Sequence, residues 1–207
     1  GLSTDKAVNP ITLYGSTKLA ADKLVLAANN YTKKNECSFS VVRYGNVMNS
    51  RGSVIPKFNE LKKNNAKYFP LTDKNMTRFI ISIESAVNFV LDSMTIMKGF
   101  EIFVPKCKTI KINDLAKALD YKKPIKIIGI RPGEKMHEYL LSEEETAEVY
   151  EYKSYYILKY FHTENGQSNK SALFSKKSKI IKSFNYSSEN NNRHLSIKEI
   201  KKIIPND

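Results

Sequence analysis

Short apolar runs alternate with helical patterns along the chain, and this alternation restricts the possible folds more than any other feature of the sequence. Residues 38–44, SFSVVRY, are apolar and rich in β-branched side chains, which predicts a buried strand. Strands that alternate with helices predict an α/β fold built on a mostly parallel sheet. Further strands are predicted at RFIIS, FEIFV, IKIIGI and YYILKY, and helices at 11–31, 54–64, 83–96, 111–120 and 135–148.

The composition is that of a soluble globular protein. Of the 207 residues, 41% are hydrophobic and 27% are charged, so the chain can bury a substantial core. No run of about 18 apolar residues and no signal peptide is visible, so we expect a cytoplasmic protein that does not associate with a membrane. Cys37 and Cys107 are isolated from each other and from the three histidines, so neither a disulfide framework nor a metal site is predicted.

The formal net charge of +13 raises the question of a nucleic-acid partner. Lysines are scattered along the whole chain among Asn and Glu residues, and are not gathered into one dense patch. We therefore expect no nucleic-acid partner. An anionic small-molecule substrate remains compatible with a basic protein.

The last part of the chain is less regular. Residues 162–170 are polar and predict a loop, and YSSENNNR at 186–193 predicts a turn or linker. Ser196 is followed three residues later by Glu199, the pattern of a capping box, which predicts a short terminal helix.

The stretch LYGSTK at residues 13–18 places a phenol and an ammonium on one helix face. Tyr14 and Lys18 lie one turn apart, with Cβ atoms roughly 5–6 Å from each other. A nearby ammonium favours the phenolate form of a tyrosine, which can take a proton from an alcohol while a nicotinamide cofactor takes the hydride. Taken alone, the pair would be better explained by a solvated helix face.

Thr4, Asp5 and Lys6 precede an Asn-Pro turn that would bring them back toward this helix. One site could then hold a hydroxyl, an acid and a base together with Tyr14 and Lys18. Adjacent carboxylate and ammonium groups can move protons on and off neighbouring carbon atoms. Without the Tyr14 and Lys18 pair, a capping Asp and a solvent-facing Lys would be the preferred interpretation.

The stretch STDKAVNPITLYGSTKLAADKL resembles the active-site segment of the extended short-chain dehydrogenase/reductases. More narrowly, it is similar to the inverting UDP-N-acetylglucosamine 4,6-dehydratases and their CapD-like polysaccharide-biosynthesis relatives. Further stretches match in order: VVRYGNVMNSRGSVIPKF, MTRFIISIESAVNFVL and RPGEKMHEYLLSEEE. The resemblance implies the C-terminal part of an NAD(P)-binding, Rossmann-type, doubly wound sheet over residues 1–98. Residues 99–207 would form the small substrate-binding subdomain and tail, with the two parts interleaved.

The resemblance also implies how the opening residues act on a UDP-sugar. Tyr14 would be the base that helps oxidise the 4-hydroxyl, with Lys18 favouring its phenolate and holding the nicotinamide ribose. Thr4 would hydrogen-bond the same hydroxyl, and Asp5 and Lys6 would share the acid and base roles in eliminating water across carbons 5 and 6. Retaining relatives have Glu in place of Lys6, so Lys6 favours inversion at carbon 5.

Binding roles follow from the same resemblance. Tyr44 and Gly45 would face the nicotinamide of NADP. Arg131 offers a guanidinium fork suited to a diphosphate, aimed by the rigid Pro-Gly turn that follows, although RPGEK alone would be an ordinary loop. Glu134 would accept hydrogen bonds from the uridine ribose. The other implied substrate contacts are Asn46, Ser53, Val54 and Arg78, of which Arg78 could equally form a plain salt bridge.

One part of the family pattern has no counterpart in this sequence. The Gly-rich phosphate-binding loop of such enzymes is missing, so we expect the chain to be the C-terminal part of a longer enzyme, inactive and without tight NADP affinity in isolation. A homo-oligomer is implied when the enzyme is complete, with a role in surface polysaccharide or flagellin glycan biosynthesis. The alternatives are a nucleotide-sugar epimerase or reductase, a non-catalytic UDP-sugar binding module, or a protein that binds nucleic acid or an anionic membrane.

Overall fold

A computed structural model of the protein describes residues 1–32, 36–145, 148–160, 179–181 and 184–204. Within these ranges no helix is both long enough and apolar enough to cross a membrane. In the described part of the chain, 3-10 turns occur at Asp5–Ala7 and Ala28–Tyr31. The α-helices are α1 (Leu13–Ala27), α2 (Val54–Lys63), α3 (Ile83–Ile96), α4 (Ile112–Leu119) and α5 (Ile197–Ile203). The strands are β1 (Leu2–Thr4), β2 (Val41–Tyr44), β3 (Asn46–Val47), β4 (Phe69–Leu71), β5 (Thr77–Ile81), β6 (Glu101–Pro105), β7 (Lys108–Lys111), β8 (Ile125–Ile127), β9 (Tyr139–Leu141), β10 (Glu148–Glu151), β11 (Tyr155–Lys159), β12 (Lys179–Ile181) and β13 (Tyr186–Ser187).

The described residues fall into two compact units, each assembled from separate stretches of chain. The first unit comprises Gly1–Tyr44, Val87–Lys106 and Tyr139–Tyr186. The second comprises Gly45–Ala86, Cys107–Glu138 and Ser187–Asp207.

A six-stranded sheet with the order β1-β2-β6-β11-β10-β12 forms the centre of the first unit. β1, β2 and β6 run parallel, which confirms the prediction of an α/β fold with a parallel sheet. The remaining pairs are antiparallel, so the sheet is not mostly parallel as predicted. β10 and β11 are joined by three residues, which is too short for the crossover that a parallel pair requires. Apolar packing on this sheet includes Val42, Phe103 and Ile157.

The second unit contains a three-stranded sheet, β3-β5-β7, and a parallel pair, β4-β8. Helices α2, α4 and α5 contribute to its apolar core. The rings of Phe58 and Phe69 stack there with centroids 4.8 Å apart, and Leu115 and Ile200 are fully buried beside the same cluster. The apolar residues at 54–64 and 111–120 have helical spacing, and helices were predicted there. Burial of these apolar side chains on one face of each helix explains why both predictions are correct.

The helix predicted at 135–148 is wrong. Residues 139–141 form β9, and a turn follows in which the Ser142 amide donates to the Glu145 carboxylate at 3.2 Å. Glu145 is held there by Arg43, far away in the sequence, so a non-local ion pair overrides the local helical pattern.

Smaller differences concern the predicted loops. The segment GNVMNSRGS contains the short strand β3, which pairs with β5. The segment YSSENNNR starts with β13 and continues into a turn in which the Ser187 amide donates to the Asn190 side chain. The loop predicted at 162–170 lies outside the described residues.

The capping box predicted at the start of α5 is confirmed. The Ser196 hydroxyl accepts from the Glu199 amide, and the Glu199 carboxylate accepts from the Ser196 amide at 2.8 Å. We expect Ser196→Ala to lower the free energy of unfolding by about 1 kcal/mol, since it leaves helix donors without a partner. Urea denaturation checks this value against Lys198→Ala, which changes an exposed residue of the same helix that has no role in the cap.

Candidate active site

The carboxyl ends of two parallel strands bring the first predicted residues together. Thr4 ends β1 and Tyr44 ends β2, and the two residues are partners in the register of the strands. Open α/β sheets bind their ligands outside the carboxyl ends of their strands. The position of Thr4 and Tyr44 therefore marks this edge of the sheet as a candidate site.

Asp5 is completely buried and is shared by its two neighbours in the sequence. The Thr4 hydroxyl donates to Asp5 Oδ1 at 2.8 Å, and the Lys6 ammonium donates to the same oxygen at 2.9 Å. The other carboxylate oxygen, Oδ2, is buried and has no hydrogen-bond partner among the described residues. The Lys6 side chain is 37% exposed, so this charged group joins the buried carboxylate to the surface.

The first turn of α1 packs directly on the 3-10 turn that carries Asp5 and Lys6. Thr12 caps the helix, accepting a hydrogen bond from the Gly15 amide at 3.1 Å. A Cβ atom added to Gly15 would lie 2.5 Å from the backbone oxygen of Lys6 and 2.9 Å from the Pro10 ring. Glycine at this position therefore permits the close approach of helix and turn.

Tyr14 and Lys18 occupy the adjoining part of α1. Tyr14 is 57% exposed and stands in the first turn of the helix, where a ligand can reach its phenol. The Lys18 ammonium donates to the Leu2 carbonyl at 2.9 Å, which ties the side chain to β1. The structure thus gathers Thr4, Asp5, Lys6, Tyr14, Lys18 and Tyr44 into the first unit.

The other predicted residues belong to the second unit. A side chain at Gly45 would overlap Phe79, so only glycine fits there. Asn46 lies in β3 opposite Ile80. Ser53 is the N-cap residue of α2, and its buried hydroxyl has no hydrogen-bond partner in the part of the chain that the structure describes. Val54 is the first residue of the same helix.

Arg78 forms hydrogen bonds and an ion pair with residues of the second unit. Its guanidinium donates to the carbonyls of Thr77 at 2.7 Å and Met136 at 3.1 Å, and lies 3.7 Å from Glu138. These contacts correspond to the salt-bridge alternative, and a role for Arg78 toward the substrate stays a prediction.

Arg131 and Glu134 form a forked ion pair across the Pro-Gly turn. Arg131 Nε donates to Glu134 Oε2 at 3.2 Å and Nη2 donates to Oε1 at 3.1 Å. Gly133 adopts a positive φ of 78°, which supports the turn. The Thr72 hydroxyl also donates to Glu134. Because Arg131 is largely exposed, it can exchange this carboxylate for another anion.

We expect the Glu134 carboxyl to titrate below the ordinary range of a glutamate. Partial burial raises the pKa of Glu134. The hydrogen bonds from Arg131 and Thr72 together lower this pKa by more than burial raises it, so the net shift is downward. A lowered pKa in the folded state means that the stabilisation is present above the unfolded pKa and is lost as the pH falls through the folded pKa. NMR titration of the Glu134 side chain measures the shift, and Arg131→Gln should move the titration back up. A Glu134 titration unchanged by Arg131→Gln would contradict the pairing.

Comparison with known proteins identifies the family. The family model described as "Polysaccharide biosynthesis protein" matches residues 1–160. The chain belongs to this family. Among its curated relatives, the UDP-N-acetylglucosamine 4,6-dehydratase (inverting) of Campylobacter jejuni serotype O:2 is 49% identical over 98% of this chain and 62% of its own length. A UDP-glucose 4-epimerase of Rickettsia bellii is 37% identical over 99% of this chain and 60% of its own length.

Solved structures support the fold of this family member. Pen from Bacillus thuringiensis superimposes with a TM-score of 0.79 and 32% identity, covering 98% of this chain and 60% of that chain. The dTDP-glucose 4,6-dehydratase of Bacillus anthracis has a TM-score of 0.54 at 16% identity, covering 63% of this chain and 49% of that chain. The fold is therefore of the Rossmann type. The chain spans about 60% of the length of the curated relatives it matches.

Three residues of the first unit were missed by the sequence analysis. Gly15 sets the spacing between α1 and the turn at Asp5–Ala7, and Arg43 and Asp22 form a buried ion pair at 3.2 Å. The sequence did contain a signal for the pair of Arg43 and Asp22. Arg43 stands inside the apolar run VVRY, and a charge that is buried in a strand requires a partner of opposite charge.

Proposed function

We propose that this family member carries the catalytic residues for NADP-dependent dehydration of UDP-N-acetylglucosamine to a 4-keto-6-deoxy sugar nucleotide, with inversion at carbon 5. The observation that carries the proposal is the contact between Lys6 and the buried Asp5. Relatives named as inverting dehydratases, 48–49% identical to this chain, support the choice of reaction.

The residues at the sheet edge fit the nicotinamide end of a cofactor. Tyr14 offers an accessible phenol, Lys18 stands on the same helix, and Tyr44 ends the neighbouring strand beside Thr4. NADP, when bound, would accept a hydride from carbon 4 of the sugar and return it to carbon 6, so that it is not consumed. Tyr14 and Lys18 would hold the nicotinamide ribose, and Tyr44 and Gly45 would line the ring.

Proton movement at carbon 4 would depend on Tyr14. Its phenol oxygen would remove the proton of the 4-hydroxyl as that carbon is oxidised. The Thr4 hydroxyl, which donates to Asp5 and accepts from the Lys6 amide in the structure, would turn to donate to the oxygen of the sugar's 4-hydroxyl. The resulting ketone acidifies the proton on carbon 5.

Asp5 and Lys6 would divide the elimination of water. One of them removes the proton from carbon 5 and the other protonates the hydroxyl that leaves carbon 6, which balances the reaction as loss of one water molecule. Because Lys6 donates to Asp5 at 2.9 Å, a proton can pass between the two groups within the site. The ammonium of Lys6, which is partly exposed and can exchange its protons with solvent, would deliver a proton to the other face of carbon 5, which gives inversion.

The remaining proposed contacts concern the nucleotide part of the substrate. Arg131 would release Glu134 to bind the diphosphate with its planar fork, and Glu134 would then accept from the ribose hydroxyls. Asn46, Ser53, Val54 and Arg78 would complete the contacts to the sugar nucleotide. The complete enzyme would be a cytoplasmic homo-oligomer that supplies surface polysaccharide or flagellin glycan synthesis.

The decisive experiment follows the sugar by NMR. The protein, expressed from its whole reading frame, is incubated with UDP-N-acetylglucosamine and NADP⁺ in deuterated water. A 4-keto-6-deoxy product with deuterium at carbon 5 and the inverted configuration would support the proposal. A 4-keto-6-deoxy product with the original configuration would contradict the role of Lys6.

An epimerase is the second candidate, because relatives that are 36–37% identical are named UDP-glucose 4-epimerases. The same NMR experiment separates the two reactions, since an epimerase changes only carbon 4. Binding of uridine nucleotides without any change in the sugar would instead favour a non-catalytic binding protein.

A further inference from the structure

Arg43 is a charged residue buried in the middle of the sheet of the first unit. It lies in β2 opposite Ser3 of β1, one residue before the pair Tyr44 and Thr4 that ends both strands. Its side chain is only 1% exposed. Burial alone would disfavour the charge, but the carboxylates of Glu145 and Asp22 raise the pKa of Arg43 above its ordinary value.

One arm of the guanidinium reaches the helix that carries Tyr14 and Lys18. Arg43 Nη2 donates to Asp22 Oδ2 at 3.2 Å, and Asp22 is a buried residue of α1. The Ser3 hydroxyl donates to the same oxygen at 2.8 Å. Asp22 therefore joins α1 to β1 immediately before Thr4.

The other arm is linked to the segment that follows Asp5 and Lys6 through two intermediate residues, Glu145 and Ser142. Arg43 Nη1 donates to both oxygens of Glu145 at 3.0 Å and to the Leu140 carbonyl at 3.2 Å. The Glu145 carboxylate in turn accepts a hydrogen bond from the Ser142 amide. The Ser142 hydroxyl accepts a hydrogen bond from the Asn9 side chain at 3.2 Å. This second chain of contacts ends three residues after Lys6.

We propose that Arg43 is a positioning residue that sets α1, with Tyr14 and Lys18, at the correct place relative to Thr4, Asp5 and Lys6. The proposal rests on the proposed function, since it concerns the same reacting groups. A guanidinium presents donors in two fixed directions, so this one residue can bind Asp22 and Glu145 at the same time. A lysine ammonium at the same place is a single point charge that cannot reproduce this fork.

Arg43→Lys tests the proposal while keeping the positive charge. We expect kcat to fall by about a hundredfold, the loss that a small misplacement of catalytic groups produces, with KM near its original value because the nucleotide contacts lie on other residues. The matched control is Glu101→Gln. Glu101 is equally buried, accepts from Ser40 and Gly99, and lies at the start of β6, the opposite edge of the sheet from the site. The control should lose stability but keep its kcat.

A second variant separates positioning from stability. The triple variant Arg43→Met, Asp22→Asn and Glu145→Gln removes the whole ion network, so no charge is left buried without a partner. We expect this variant to unfold at nearly the original denaturant concentration and still to have a low kcat. A stable triple variant with the original kcat would overturn the proposal, as would an Arg43→Lys enzyme with the original kcat.

Amide hydrogen exchange supplies a measurement that does not depend on turnover. Arg43→Lys should raise exchange in residues 2–9 and 13–22 but not in α4 of the second unit, whereas Glu101→Gln should leave both segments unchanged. Exchange unaltered in these segments would also refute the positioning role. If the unmodified protein leaves the sugar unchanged, the proposed function fails, and the exchange result still decides whether Arg43 fixes the two segments.

Discussion

Tyr14→Phe is expected to lower kcat by about 10²–10⁴-fold, the contribution of a positioned acid or base. The phenol is exposed at the start of α1 and would be the group that takes the proton from the sugar's 4-hydroxyl. Removing one oxygen atom from an exposed ring should leave the free energy of unfolding nearly unchanged. Steady-state kinetics with UDP-N-acetylglucosamine, together with urea denaturation, measures both quantities.

Tyr31→Phe is the matched control for this change. Tyr31 is 90% exposed and lies in the 3-10 turn beyond the end of α1, so the same atom is lost away from the site. We expect its kcat to equal that of the unmodified protein. Equal rates for the two variants would show that Tyr14 is not the base.

Gly15→Ala is expected to have the second largest effect, because it adds one carbon where no space exists. In most helices this change is favourable by roughly 1 kcal/mol. Here the new Cβ would lie 2.5 Å from the backbone oxygen of Lys6, which cannot move away as a flexible side chain could. We expect a net loss of about 1–3 kcal/mol in the free energy of unfolding. We also expect roughly a hundredfold loss in kcat, because Tyr14 and Lys6 would be pushed apart.

Ser16→Ala controls for the change in helix composition next to this position. Ser16 is exposed, and its hydroxyl donates only to the Thr12 carbonyl within its own helix. This variant should keep its kcat and its stability. If Gly15→Ala were as stable and as active as Ser16→Ala, the close approach of α1 to the turn would be contradicted.

Local patterns were sufficient to predict several elements. The apolar spacing at 54–64 corresponds to α2, and the pairing of Ser196 with Glu199 corresponds to the capping box of α5. In both cases the pattern that signals the helix lies within one or two helical turns of sequence. Thr4, Asp5 and Lys6 are neighbours in the sequence, so their interaction also needed no distant information.

Interactions between distant residues were not predictable in the same way. The helix expected at 135–148 was wrong because Glu145 is bound by Arg43, 102 residues away. Glycine at position 15 looks unfavourable for a helix until the Lys6 backbone is known to lie against it. Such constraints become visible only when the packed structure is considered.

The strand order of the central sheet also determines how the protein can fold. The adjacent strands β2, β6 and β11 begin at residues 41, 101 and 155. Each pairing between them therefore closes a long loop and carries the entropy cost of loop closure. The β10-β11 hairpin is a local pairing that can form early, whereas the strand ends at Thr4 and Tyr44 meet only after long segments have been brought together. The candidate site should therefore be acquired late in folding, as one of the slowest events. A destabilising change in β11 would then impair assembly of the site, although no proposed catalytic residue lies on that strand.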